Sequence, residues 1–166
     1  MELSDAIEKR FSCREFTDER IKREELNKIL EAGRLAPTAC NNQPQKIYVV
    51  EGDEALNSLK NATKYTFNSK TILVVCYNTC ASWHRRYDSK DHGNIDAAIV
   101  AENMVLMATA LGIGSCYVCA MKPDLVKEAL SIPREYEVVC MLPLGYPKEL
   151  KEHNSRKPLE DMIIYR

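Results

Sequence analysis

The stretch from Ile95 to Leu111 constrains this chain more than any other. Ile95, Ala97, Ala98, Ile99, Val100, Ala101, Met104, Val105, Leu106, Met107 and Ala108 leave it almost no polar side. A helix that is apolar nearly all round has to be buried on most of its surface. The chain has 166 residues, a length that suits one compact domain over 1–166 and leaves little room for a second. A dimer interface is one way to cover what the rest of so small a domain leaves open.

The other elements arrange themselves around that helix. Leu3, Ala6, Ile7 and Arg10 share a face at helical spacing, which predicts a helix over 3–10 with Ser4 as a cap. A second helix is predicted over 22–34, with Leu26, Ile29 and Leu30 on one side and Gly33 and Pro37 ending it. Ile47–Val50 reads as a short strand, and Asp53 as the cap of a helix over 54–62. The unbroken apolar run 72–77 reads as a central strand buried on both faces. Residues 81–94 read as an exposed connection. A strand is expected at 115–119, a helix opened by Pro123, and a last strand at 137–145 stopped by Gly145-Tyr146-Pro147. Two helices precede the first strand, and strands then alternate with helices. The expected class is α+β, with a central mixed β-sheet flanked by helices. The tail ends in Met162-Ile163-Ile164-Tyr165, which needs a surface to cover; the edge of a partner's sheet would serve.

Charge and composition exclude several classes of function. With 23 basic and 24 acidic side chains the formal net charge is -1. That gives no global basic excess for nucleic acid, so any anion site must be local. No apolar run reaches the roughly 18–20 residues of a membrane span. Met1-Glu2-Leu3-Ser4-Asp5 lacks the pattern of a signal peptide, so a cytoplasmic location is expected. The seven cysteines (Cys13, Cys40, Cys76, Cys80, Cys116, Cys119 and Cys140) are an odd number, which argues against a disulfide framework. His84, His92 and His153 are scattered without metal-ligand spacing and read as surface residues; no metal site is expected.

Four segments carry groups suited to chemistry. In Arg10-Phe11-Ser12-Cys13-Arg14, an extended backbone puts Arg10, Ser12 and Arg14 on one face. Two guanidinium groups and a hydroxyl make an anion receptor, because guanidinium grips phosphate in a bidentate fork. Read alone, the same spacing also describes two solvated surface arginines. Pro37-Thr38-Ala39-Cys40-Asn41-Asn42-Gln43-Pro44 offers amide donors and acceptors on a stiffened loop, suited to a heteroaromatic edge or simply to a turn. Gly112-Ile113-Gly114-Ser115-Cys116-Tyr117-Val118-Cys119-Ala120 is no dinucleotide fingerprint, since its glycines follow a helix. Its Cys116 and Cys119 are the residue types of a zinc or thiol regulatory site, but they would point to opposite faces of a strand. Lys148, Lys151, His153, Arg156 and Lys157 form a basic tail, either a solvated face or a further cation for an anion site.

In this order the segments resemble the nitroreductase family of FMN-dependent oxidoreductases. The resemblance runs through Arg10–Phe16, Ala36–Pro44, Asp96-Ala97-Ala98, Leu111–Cys116, Leu144–Pro147 and Arg156-Lys157-Pro158-Leu159. It implies a nitroreductase-like fold, an intertwined homodimer and an FMN site at each end of the interface, lined by both subunits. It implies that Arg10, Ser12 and Arg14 bind the flavin phosphate, ribityl chain and pyrimidine edge, with Arg14 tuning the ring. Pro37, Thr38, Asn41 and Gln43 would line the site, with Asn41 arriving from the second subunit. The backbone of Tyr117, Val118, Cys119 and Ala120 would lie along the ring, and Arg156 would complete the phosphate site. NADH or NADPH would reduce the flavin, and nitroaromatic, quinone or flavin acceptors would then take its electrons in ping-pong order, with no catalytic side chain required. A flavin-consuming or dehalogenating member of the same fold is the neighbouring alternative. Gln45 stands where such proteins often carry an aromatic residue and Asn154 where they often carry a lysine, which implies weaker FMN binding. The short region 61–94 implies no long helical lid.

Overall fold

A computed structural model describes residues 1–152 and 155–166. Among them the elements run α1 (Leu3–Lys9), α2 (Arg23–Arg34), β1 (Gln45–Val50), α3 (Asp53–Ala62), β2 (Thr71–Asn78), α4 (Gly93–Ala110), β3 (Gly114–Ser115), α5 (Pro123–Ala129) and β4 (Tyr136–Gly145). The α+β architecture is as expected. The strands lie in the order β1-β2-β4-β3, and each ladder between them is antiparallel. The sheet is therefore antiparallel rather than mixed as expected; among the described residues the one parallel pairing is an isolated bridge, Ser12 to Ser115, outside the four strands.

β2 is the central strand, buried along Thr71–Tyr77. Its alternate residues go to two layers. Leu73, Val75 and Tyr77 pack with Leu26 and Ile29 of α2 and with Val100 and Met104 of α4. Ile72, Val74 and Cys76 pack with Leu56 and Leu59 of α3 and Val126 of α5. The two-residue period of a strand makes this division. Each fully buried aliphatic side chain contributes about 1.5–3 kcal/mol relative to exposure.

α2 does not stop at Gly33. It runs one residue further, and Gly33 is buried where α2 crosses α4. A Cβ there would stand 2.8 Å from Met104 Cγ, so the glycine serves close helix approach rather than termination. The expected caps also differ. α1 begins after Glu2 and α3 after Gly52, and neither Ser4 nor Asp53 makes a side-chain capping bond. Asp53 instead sits inside the first turn of α3, where its charge meets the positive end of the helix. His92 is not a surface residue: it is half-buried, its ring lies 5.3 Å from that of Trp83, and its Nε2 is enclosed without a partner among the described residues.

β3 is shorter than the strand expected over 115–119. Its register against β4 continues, with Cys116 N–H donating to Pro143 O and Val118 bridging Met141. Pro143 has no amide to return the bond, and this interrupts the ladder. α4 buries Ala97, Val100, Ala101, Met104, Val105 and Ala108, whereas Ile95 and Ile99 remain 49% and 36% exposed. One chain therefore leaves a stripe of the apolar helix open.

Candidate active site

The arginine segment lies flat against the end of the sheet. The chain leaves α1 in extended conformation at Arg10. Cys13 N–H donates to Ser115 O at 2.8 Å, beside the Ser12–Ser115 bridge. Two glycines admit this approach. A Cβ on Gly114 would stand 2.7 Å from Cys13 Cβ, and one on Gly145 would stand 2.9 Å from the Phe16 ring. Cys13 is buried, and its neighbours Ser12 and Arg14 are exposed on the opposite side, as the strand period requires; Phe16 is buried beyond them.

Arg10, Ser12 and Arg14 all act on one neighbouring thiol. Burial pushes the Cys116 thiol up from its ordinary value, while Arg14, a hydrogen bond with Ser12 and Arg10 each pull it back. One thiol thus registers all three groups. Arg20, Arg23, Arg34 and Arg85 each pair with a carboxylate, whereas among the described residues Arg10 and Arg14 have none. Two positive charges collected without an anion of the protein's own make a receptor for an outside one.

The next segment forms a wall. Tyr117 donates its hydroxyl to Glu102 Oε2 on α4 at 3.0 Å. Burial, then the Glu102 carboxylate, push this phenol well above the usual range, with Arg10 opposing them. Val118 is buried and held to Met141 by two amide bonds of 2.9 Å. Cys119 and Ala120 are exposed. Ala120 O accepts the Thr63 hydroxyl at 2.7 Å, which ties the far end of the wall to the end of α3. Of the two thiols in this CxxC, Cys116 is buried and Cys119 exposed, so they do not form one ligand set.

The Pro37–Pro44 loop carries strain. Cys40, Asn41 and Gln43 all have positive φ, at 52, 55 and 50 degrees. Non-glycine residues keep such conformations only where their surroundings over-determine them. Here Ala39 N–H donates to Asp96 Oδ1 at 2.9 Å, Gln43 N–H to Thr38 Oγ1 at 3.0 Å, and Asn42 Nδ2 to Ala81 O at 3.1 Å. Pro37 and Asn41 are exposed on its outer side. Asp96 is 3% exposed, and its Oδ2 has no hydrogen-bond partner among the described residues. A carboxylate in the first turn of so apolar a helix is a visible signal in the sequence, but nothing local shows what it holds. The same is true of Glu102, the other acid on α4.

Asp96 anchors the loop near the start of α4, while the arginines attach to the strand that follows its end. Fourteen residues of helix separate Asp96 from Ala110, about 20 Å along the axis. Arg156 is exposed in the tail and donates to Ser155 O at 3.4 Å. Gln45 opens β1 with a buried Oε1 that has no partner among the described residues. Asn154 and His153 lie outside the described residues. A cavity of about 640 Å³, lined by Phe11, Thr109, Ile113, Gly114, Pro147 and Leu150 among others, includes none of Arg10, Ser12 and Arg14. No helix among the described residues is long and apolar enough to cross a membrane.

A sequence model described as the Nitroreductase family matches residues 7–71 and 56–146. A relative from Archaeoglobus fulgidus, provisionally named NADH dehydrogenase/NAD(P)H nitroreductase, is 34% identical over 152 residues, covering 86% of this chain and 84% of the relative. The crystal structure of a nitroreductase family protein from Clostridium difficile 630 superposes with a TM-score of 0.95 at 34% identity, over 99% of this chain and 98% of that one. A protein from Desulfovibrio desulfuricans, solved in complex with FMN, superposes with a TM-score of 0.88 at 27% identity, over 100% of this chain and 97% of that one.

Proposed function

The chain belongs to the Nitroreductase family, and from that premise we propose that it is an FMN-dependent oxidoreductase drawing on NADH or NADPH and reducing nitroaromatic, quinone or flavin acceptors. The observation that carries the reading is a pair of arginines, Arg10 and Arg14, flanking Ser12 on one extended segment and without a carboxylate partner among the described residues. When bound, FMN supplies the two-electron chemistry that transfers reducing equivalents from donor to acceptor.

The residues divide the work. Arg10 and Ser12 hold the phosphate, and Arg156 adds a cation from the tail. Arg14 would supply positive charge to bound FMN and favour its reduced, anionic form. The backbone of Tyr117, Val118, Cys119 and Ala120 would hold the flavin, on a surface kept rigid by the Val118–Met141 and Thr63–Ala120 bonds. Pro37, Thr38, Asn41 and Gln43 of a second copy of the chain would complete the site, with Asn41 offering its amide to the flavin. Donor and oxidant would use the same site in turn, with ping-pong kinetics as the expected result.

A homodimer is supported by two features. Ile95 and Ile99 leave an apolar stripe of α4 uncovered. Met162, Ile164 and Tyr165 are 72%, 78% and 90% exposed, a terminal apolar segment in want of a surface.

The test is spectroscopic. Protein reconstituted with FMN is expected to sediment as a dimer, show a bound-flavin spectrum, and bleach under anaerobic NADH or NADPH. Protein that neither binds FMN nor oxidises either nucleotide refutes the proposal.

A further inference from the structure

Residues 114–118 keep one antiparallel register against β4. Gly114 pairs with Gly145 and Ser115 with Leu144. Cys116 N–H donates to Pro143 O at 3.3 Å, and Val118 and Met141 exchange both amide bonds at 2.9 Å. The next pair in that register is Cys119 and Cys140. Val118 and Met141 are a hydrogen-bonded pair, so Cys119 and Cys140 fall on a non-hydrogen-bonded position. Facing Cα atoms there stand about 4.5 Å apart. Disulfides span Cα separations of about 4.4–6.8 Å.

The side-chain directions agree. Val118 and Met141 face the layer shared with α3 and α5. Their strand neighbours face the other way. Cys140 accordingly packs in the α4 layer, and Tyr117, two residues before Cys119, reaches Glu102 on α4. Both thiols therefore lie on the α4 face. Cys140 also feels Cys119 electrostatically. Access divides their roles: Cys119 is exposed, whereas Cys140 is 2% exposed.

We propose that Cys119 and Cys140 are a redox-active dithiol that closes to a cross-strand disulfide in the wall of the candidate site by exchange with a small-molecule disulfide. The exposed Cys119 sulfur bonds to one sulfur of the reagent, and the other leaves as a thiol carrying one proton. Cys140 then bonds to the Cys119 sulfur, and the second half of the reagent leaves as a thiol. Two electrons and two protons pass from the pair to the reagent, which is reduced to two thiols. The second step is intramolecular, and proximity favours it although burial holds Cys140 protonated. Exposed or strained disulfides are the easily reduced ones, so a dithiol reductant reopens the pair. The assignment rests on strand register and is independent of the flavin reading.

The test uses the purified protein treated with oxidised glutathione, acid-quenched, and mapped as peptides by mass spectrometry. A Cys119–Cys140 disulfide is expected, reversed by dithiothreitol, with Cys40 and Cys80 as exposed reference thiols. In Cys140→Ser, Cys119 is expected to keep its glutathione adduct. Should that buried substitution prevent folding, Cys119→Ser replaces it, and Cys140 is then expected to stay unmodified. A stable glutathione adduct on Cys119 of the parent protein overturns the proposal. So do a Cys119 that stays reduced while Cys40 and Cys80 react, and a Cys140 that reacts without Cys119. None of these readouts needs FMN or a nucleotide, so failure here leaves the reductase reading standing, and failure of that reading leaves this one testable.

Discussion

Gly114→Ala tests how the arginine segment is held. The added methyl would stand 2.7 Å from Cys13 Cβ and 2.8 Å from Cys13 Sγ. Carbon atoms in contact settle at about 3.5–4.0 Å, so the two strands must part by about 1 Å. The sulfur can rotate away, but the Cβ is fixed to the backbone. That backbone is tied to Ser115 O by the 2.8 Å bond from Cys13 N–H. Overpacking of this kind costs about 1–3 kcal/mol. For a chain of this length that corresponds to a fall in Tm of roughly 2–12 °C. The same displacement moves Ser12 and Arg14, and misplacement by about 1 Å lowers catalytic rates on the order of 100-fold. Urea unfolding and the steady-state rate of NAD(P)H oxidation measure the two effects. Adding Cys13→Gly removes the opposing Cβ and is expected to recover part of both losses, a coupling that independent sites would not show. A Gly114→Ala protein with the parent's unfolding midpoint and rate would refute the reasoning.

Arg10→Ala is expected to weaken FMN retention, read by ultrafiltration, whereas Arg14→Ala slows flavin reduction more than it weakens binding; equal flavin affinity in the first, or unchanged reduction kinetics in the second, would overturn the respective role. Asp96→Ala removes the acceptor of the 2.9 Å bond from Ala39 N–H and leaves a half-buried donor unpaired, at a cost near the low end of about 1–3 kcal/mol. It should loosen the Asn41 loop and raise the KM for the nucleotide, and Asp96→Asn, which retains an oxygen, should restore much of this. Burial raises the Cys76 and Cys140 thiols from 9.0 to about 12. The folded chain then keeps protons that the unfolded chain releases, so these thiols leave stability intact below about pH 9 and erode it between about 9 and 12. The slope approaches roughly 1.4 kcal/mol per pH unit for each thiol. Cys76→Ala should flatten the pH dependence of the urea midpoint over that interval, and an unchanged slope would count against the buried-thiol account.

Local patterns reached a long way in this sequence. The apolar run 72–77 announced the central strand, because a segment buried on both faces has no polar side to show. The 3.6-residue rhythm placed α2, and proline placed the start of α5. The spacing of Arg10, Ser12 and Arg14 placed them on one side of an extended segment, since that depends only on backbone period. Their segment is tied by a parallel bridge to Ser115, and no local signal encodes a contact more than a hundred residues away along the chain. Gly33 is instructive in the same way: a glycine near a helix end looks like a terminator, and only the crossing of Met104 shows that it is a clearance. Asp96 was visible as an odd carboxylate, but its bond to Ala39 exists only because α4 passes under the loop. Sequence by itself determined which segments form elements and which side chains share a face, because both follow from the local period of the backbone. The tertiary structure alone decided which faces meet: the arginine segment against Ser115, and the strained Asn41 loop against Asp96 in the first turn of α4. Those meetings are set by how layers pack and how strands register across the sheet, and neither is written within a few residues of any of them.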